Sequence, residues 1–219
     1  MRSSRAIQMR SETITLKMYN SLKLLSYSTF VLILVGACSE KDQSEVGDQY
    51  YKSGEYQKAI TSYTEFLALK PVNEIALYNR GRAYEEMGNY ILSLKDFQRV
   101  LVINPKSENA YLSIGKDFYR QDDYENAAFN FEKAYKLNTK NAQAALLVAR
   151  ANHKFGEIDL AMEFYNKAIS LDNNFAEAYM YRGALKIYMK KQSRGCADIK
   201  RAQNLGYEPA AQLLADYCQ

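Results

Sequence analysis

The sequence predicts an all-α chain: a solenoid of about five stacked helix hairpins closed by a short C-terminal helix. Three observations carry this. Pro71 and Pro105 lie 34 residues apart in a chain with only three prolines, which sets an interval to test. In five windows at that interval (40–73, 74–107, 108–141, 142–175 and 176–209) the eighth place reads Gly47, Gly81, Gly115, Ala149, Gly183. The twentieth place reads Ala59, Ser93, Ala127, Ala161, Gly195, and the twenty-fourth Tyr63, Phe97, Phe131, Tyr165, Ile199. Small and large residues thus alternate at fixed places.

The chain before these windows reads as a leader, 1–37. Residues 24–39 carry no formal charge, but only Phe30–Ala37 is densely apolar. A spanning helix wants roughly 20 apolar residues, whereas a secretory core needs about 7–15. The run ends in Val35-Gly36-Ala37-Cys38, which resembles a bacterial lipobox: a branched residue, two small ones, then the cysteine that is acylated and becomes the new N-terminus. The other reading is an ordinary buried cysteine after a short anchor helix. Met18 opens a compact signal of its own, so residues 1–17 are either an upstream extension from a mis-assigned start or a long n-region.

Removing the leader changes the charge argument. Residues 1–39 hold five Lys/Arg and one Glu, which is the whole net +4; from residue 40 onward 24 basic residues face 24 acidic ones. The neutral mature chain gives no support for nucleic-acid binding.

Each window reads as two helices. Places 4, 7, 8 and 11 share one helical stripe, as do 20, 24, 27 and 28. Gly54, Gly88 or Gly156 at place 15 ends the first helix in a left-handed residue. Small residues at places 8 and 20 let the two backbones approach, and the side chain at 24 fills the space beside them. One hairpin cannot bury its faces alone, so neighbours stack. After the fifth window, "EPAAQLLADYC" reads as a capping helix within 208–219, with Pro209 in its first turn.

The pattern resembles the tetratricopeptide repeat over essentially all of 40–207, most specifically in the first three windows. "ALYNRGRAYEEMGNYILSLKDFQRVLVINP" (76–105) keeps most consensus places. Asp122 and Lys190 replace the turn glycine, Thr139 and Asn173 the proline, and Asn152 and Lys186 the aromatic at place 11. These departures predict looser packing in repeats four and five. The resemblance implies a right-handed solenoid of five repeats within 38–207, and a concave face that receives extended peptides. The whole looks like repeat lipoproteins that support outer-membrane assembly, pilus secretion or control of cell-wall hydrolases.

No constellation points to catalysis, a cofactor or a metal. His153 is the only histidine, and no cysteine pair has zinc spacing. Gly115-Lys116-Asp117 lacks the other residues of a phosphate loop. Asp122-Asp123 reads as a cap at a turn, and Glu85-Glu86 as a solvated face.

Binding is left, and its face can be located. Places 2, 5, 9 and 13 centre some 150° from the core stripe of the first helix at about 100° per residue. Place 5 reads Tyr78, Leu112, Leu146, Met180; place 9 reads Arg82, Lys116, Arg150; place 13 adds Arg120 and Lys154. Two readings of these rows stand side by side. In one, an apolar row beside a basic row forms a groove for an acidic, partly apolar, extended peptide. In the other, place 5 packs on the neighbouring repeat and the bases are solvated charges. The carboxylate clamp of some relatives is not supported: repeat one offers Ser44, Asp48, Asn79 and Asn109, without the leading cations.

The expected function is therefore a non-enzymatic adaptor, lipid-anchored in the cell envelope: at the outer membrane facing the periplasm, with the cell surface as the other reading, since Glu40 and Asp42 resemble the acidic tracts of surface-exported lipoproteins. Alternatives are a structural spacer or an enzyme with a site assembled across repeats.

The two remaining cysteines lie either side of Gly206. Cys196 is 10 residues before it and Cys218 is 12 beyond it. If the helices flanking Gly206 are antiparallel, both thiols stand some 15–18 Å from the turn at about 1.5 Å per residue. Export would favour a Cys196–Cys218 disulfide; the alternative is two separate buried thiols.

Overall fold

The computed structural model describes residues 43–218; the leader, Cys38 included, lies outside them. Five antiparallel hairpins follow one another: α1 (Gln43–Lys52) with α2 (Tyr56–Leu69), α3 (Glu74–Glu86) with α4 (Tyr90–Ile103), and α5 (Glu108–Arg120) with α6 (Tyr124–Leu137). Then come α7 (Ala142–Phe155) with α8 (Ile158–Leu171) and α9 (Ala176–Tyr188) with α10 (Gln192–Asn204), and α11 (Pro209–Tyr217) closes the array. Each helix packs on the next, and the first helices of neighbouring repeats touch, which is the all-α solenoid expected. Among the described residues no helix is long and apolar enough to cross a membrane.

Local chemistry sets the hairpins. Asn73, Asn89, Asp123 and Asn141 cap the next helix by accepting from the backbone N–H of Ala76, Leu92, Asn126 and Ala144. Asp122 and Lys190, where the other turns have glycine, still take φ of 60° and 59°. The turn geometry is thus imposed by the hairpin and survives a residue that disfavours it.

The small–large alternation is a steric fit. A Cβ on Gly81 would lie 2.7 Å from Phe97, and one on Gly183 only 2.8 Å from the backbone oxygen of Gly195. Repeat five therefore brings two glycine backbones together and needs only Ile199 beside them. Repeat four is not loosely packed: α7 buries Ala144 through Ala149 without a break, and Ala151 and Asn152 with them. Alanines replace lost bulk by letting helices approach more closely, and Asn152 satisfies its own amide on the Val148 carbonyl at 2.9 Å.

Two largely buried ion pairs each brace one repeat, and their arginines also reach the repeat before. Arg80 donates to both oxygens of Asp96 at 2.7 and 2.8 Å and to Thr64 of the preceding repeat at 3.1 Å. Arg182 repeats this arrangement on Asp198 and Asn166. Bidentate geometry satisfies charges that burial would otherwise leave costly.

At the C-terminal end, α11 packs Ala210, Leu213 and Leu214 onto Met180, Ile199 and Ala202, with Tyr207 beside them. The structure joins Cys196 to Cys218, with Cα atoms 5.6 Å apart.

Candidate functional site

The first helices α1, α3, α5, α7 and α9 lie side by side, so residues at their non-core places form one continuous inner face. It holds a cavity of about 380 Å³ in repeats three to five, lined by Lys116, Tyr119, Arg120, Leu147, Arg150 and Glu177 among others. A second hollow of about 170 Å³ lies in repeats one and two, between Asp48, Tyr51, Asn79 and Arg82.

The basic row is present but largely spoken for. Arg150 of α7 pairs with Glu177 of α9 at 3.1 Å, and its guanidinium lies 4.6 Å from the ring of Tyr181 and 5.6 Å from that of Tyr119. Arg120 reaches Glu85 at 2.9 Å and stands 5.7 Å from the Tyr90 ring. Arg82 lies over Tyr51 at 4.7 Å. Lys116 and Lys154 are exposed and make no ion pair among the described residues.

The apolar row is only half as expected. Tyr78 is half-buried, its hydroxyl 3.5 Å from Ser113, and Leu112 packs partly against the core. Leu146 and Met180 are buried and cannot face a ligand. Leu146 belongs to the central core, and Met180 is covered from the capping side by Tyr207 and α11. Place 5 lies at the seam where the next first helix packs. The deeper packing of repeats four and five therefore turns it inward. What lines the groove instead is aromatic: Tyr119 at place 12, with Tyr181 at place 6 backing the Arg150 guanidinium.

Beneath the groove lies a polar cluster that the sequence hid. Asp117 is fully buried, accepts from the Ser93 hydroxyl, and has Arg120 3.6 Å from Oδ1. That Oδ1 has no hydrogen-bond partner among the described residues. Burial above all, with the charge of Glu85 added, pushes the Asp117 carboxyl up to about 7 against the opposing pull of Ser93 and Arg120. Glu85, expected on a solvated face, is nearly buried here. The only available signal was an acid at place 10, where the other windows read Gln49, Ala83, Ala151 and Leu185.

His153 faces the Tyr165 hydroxyl at 3.3 Å, and burial lowers its pKa. Among the described residues no three His, Cys, Asp or Glu side chains are placed to hold a metal ion.

An array of hairpins presenting one inner face of first helices defines a helical-repeat binding protein. Family models identify the repeat. A TPR repeat model matches 47–88, and two tetratricopeptide repeat models match 75–107 and 112–176. The chain belongs to the tetratricopeptide-repeat family. Among solved structures, a crystal structure of MamA is 25% identical, with a TM-score of 0.70 over 76% of this chain and 97% of that one. MamA from Desulfovibrio magneticus RS-1 shares the fold at 17% identity and a TM-score of 0.71, covering 78% of this chain and 98% of that one. YrrB, described as a TPR protein with an unusual peptide-binding site, shares it at 16% identity and 0.66, covering 80% and 91%. A search of curated proteins finds no match.

Proposed function

We propose that this protein is an adaptor of a bacterial cell envelope, anchored by lipid at Cys38 and offering its concave face to an extended segment of a partner. The repeat fold supports protein binding as the activity. The stretch Val35-Gly36-Ala37-Cys38, behind an apolar run, supports the anchor, and Ser39, which does not resemble an inner-membrane retention signal, supports the outer membrane.

The groove of repeats three to five carries the reading. Its arginines are held by Glu85 and Glu177, so their charge is mostly balanced within the fold. What a ligand meets is the exposed ammonium of Lys116 and the aromatic Tyr119, above a cavity floor that includes the nearly buried Leu147. An extended segment with one or two carboxylates beside apolar side chains matches this, gaining charge-assisted contacts at the rim and ring contacts within. The resulting function is recognition, without turnover.

The test is affinity capture from detergent-solubilised envelopes with the intact protein and with Lys116→Glu. A specific partner retained by the first and lost from the second supports the reading. Equal capture by both refutes the groove as the binding site, and no partner at all overturns the reading in favour of a spacer. Mass spectrometry of the mature N-terminus tests the anchor separately: an unmodified Cys38 on an intact leader refutes it.

A further inference from the structure

The alternation of antiparallel helices gives the solenoid two unlike edges. One carries the turns inside hairpins. The other carries the turns between hairpins, at residues 70–73, 104–107, 138–141 and 172–175, together with the N-terminus of α1 at Gln43. Side-chain bonds hold neighbouring turns of this second edge together: Arg99 donates to the Pro71 carbonyl at 2.7 Å, and Asn104 to Glu74 at 3.0 Å.

Among the described residues, five aliphatic side chains are at least 70% exposed: Leu69, Val72, Ile75, Ile91 and Val102. Four of them, all but Ile91, sit on this second edge within repeats one and two. They end α2, begin α3, end α4, or occupy the turn between α2 and α3. Nothing in the packing of the core calls for them, since each lies outside the stripe that faces the neighbouring helix. Lys106 is exposed in the adjoining turn, as is Pro71 beside Val72.

The chain that precedes α1 says what this edge meets. Cys38 is five residues before Gln43 and directly follows the apolar run Phe30–Ala37. Five residues span at most roughly 18 Å, less than the roughly 20 Å of the helices α2 to α10. If the chain is held in a bilayer at or just before Cys38, the edge that emits α1 is held close to the headgroups. The opposite edge, with Ile91, faces away.

We infer that the inter-hairpin edge of repeats one and two docks on the lipid surface, with Leu69, Val72, Ile75 and Val102 in the headgroup–acyl boundary and Lys106 among the headgroups. This rests on the anchored reading above but not on the acyl chemistry at Cys38. Any attachment of the leader to the bilayer serves. Interfacial side chains of this kind reach about 5–10 Å into the boundary, and a basic residue beside them adds attraction to anionic lipid. The consequence is orientation: the first repeats lie at the membrane and the groove of repeats three to five is carried sideways over it.

The chain contains no tryptophan, so one introduced tryptophan reports its own surroundings. Full-length protein made with its leader is placed in phosphatidylethanolamine–phosphatidylglycerol vesicles. Leu69→Trp, Val102→Trp and, as a control on the other edge, Ile91→Trp are compared with and without brominated acyl chains. The expected result is flotation of all three, with blue-shifted emission for Leu69→Trp and Val102→Trp that is lost on bromination, while Ile91→Trp emits as in water and is unchanged. If all three float and none is quenched, the docking edge is refuted and the anchor survives. If none floats, both fail. A blue shift at Leu69→Trp and Val102→Trp that bromination leaves untouched means that protein, rather than lipid, covers the edge, and the inference is wrong.

Discussion

Arg150 of the fourth repeat lies 3.1 Å from Glu177 of the fifth, and its guanidinium is stacked over Tyr181 from the same helix as its partner. The pair is about three-quarters buried on both sides, so it joins two repeats as much as it lines a groove. Reversing this charge therefore acts on the fold first. Arg150→Glu should cost about 1–3 kcal/mol of stability and so lower the denaturant midpoint, since it sets two carboxylates together. Lys116→Glu should leave stability within about 0.5 kcal/mol and act only on the ligand. Urea titrations of both variants separate the effects; equal stability losses would show that Lys116 also holds the fold.

If an acidic segment binds beside Lys116 and Lys154, its affinity should fall as salt rises, because exposed charges are screened within about 10 Å at 0.1 M. Calorimetry of the captured partner at low and high salt reads this directly. A salt-independent affinity would assign recognition to Tyr119 and Leu147 alone.

Asp117 should make stability depend on pH in an uncommon direction. Its carboxyl is raised from the ordinary 3.8 to about 7 in the folded chain. Between those values the folded state holds a proton that the unfolded state has lost, so stability falls as pH rises through this window and levels off above it. Asp117→Asn should flatten the window and be the more stable protein at pH 8. Unfolding curves from pH 4 to 8 decide this, and an unchanged slope in the variant would remove Asp117 as the cause.

Reduction of the Cys196–Cys218 bond should free the capping helix before it unfolds the array. The bond closes a loop with a sequence separation of 22. Such a loop contributes about 3 kcal/mol in the chain-entropy model. Thiol labelling of the denatured, unreduced protein should find neither cysteine reactive. Two labelled thiols would mean that Leu213, Leu214 and Tyr207 hold the cap alone.

Gly81→Ala tests the small–large pairing. Alanine is the better helix former by about 1 kcal/mol. The added methyl, however, would sit 2.7 Å from Phe97, which is fully buried. Overpacking of a closed core costs about 1–3 kcal/mol, so the clash should win. Gly81→Ala with Phe97→Leu should recover part of the loss. A gain in melting temperature for Gly81→Ala alone would show that the core yields there.

The sequence by itself determined the repeat. The 34-residue interval and the pairs Gly81–Phe97 and Gly115–Phe131 are written locally, because both partners of each steric fit lie in one hairpin, 16 residues apart. The closing cysteines were legible for the same reason: their distances from Gly206 place them level on two antiparallel helices.

The tertiary structure alone decided which inward places stay open. Helical periodicity gives the angle of a side chain on its own helix, but not which neighbour covers it. Leu146 and Met180 share a place with Tyr78 and Leu112, yet the next repeat and α11 close over them. Asp117, Glu85 and Arg120 come from two repeats and Ser93 from a different helix than Glu85, so no single window contains their cluster. Burial of that carboxylate, and the pairing that leaves Lys116 rather than Arg150 for a ligand, arise only when the repeats are stacked.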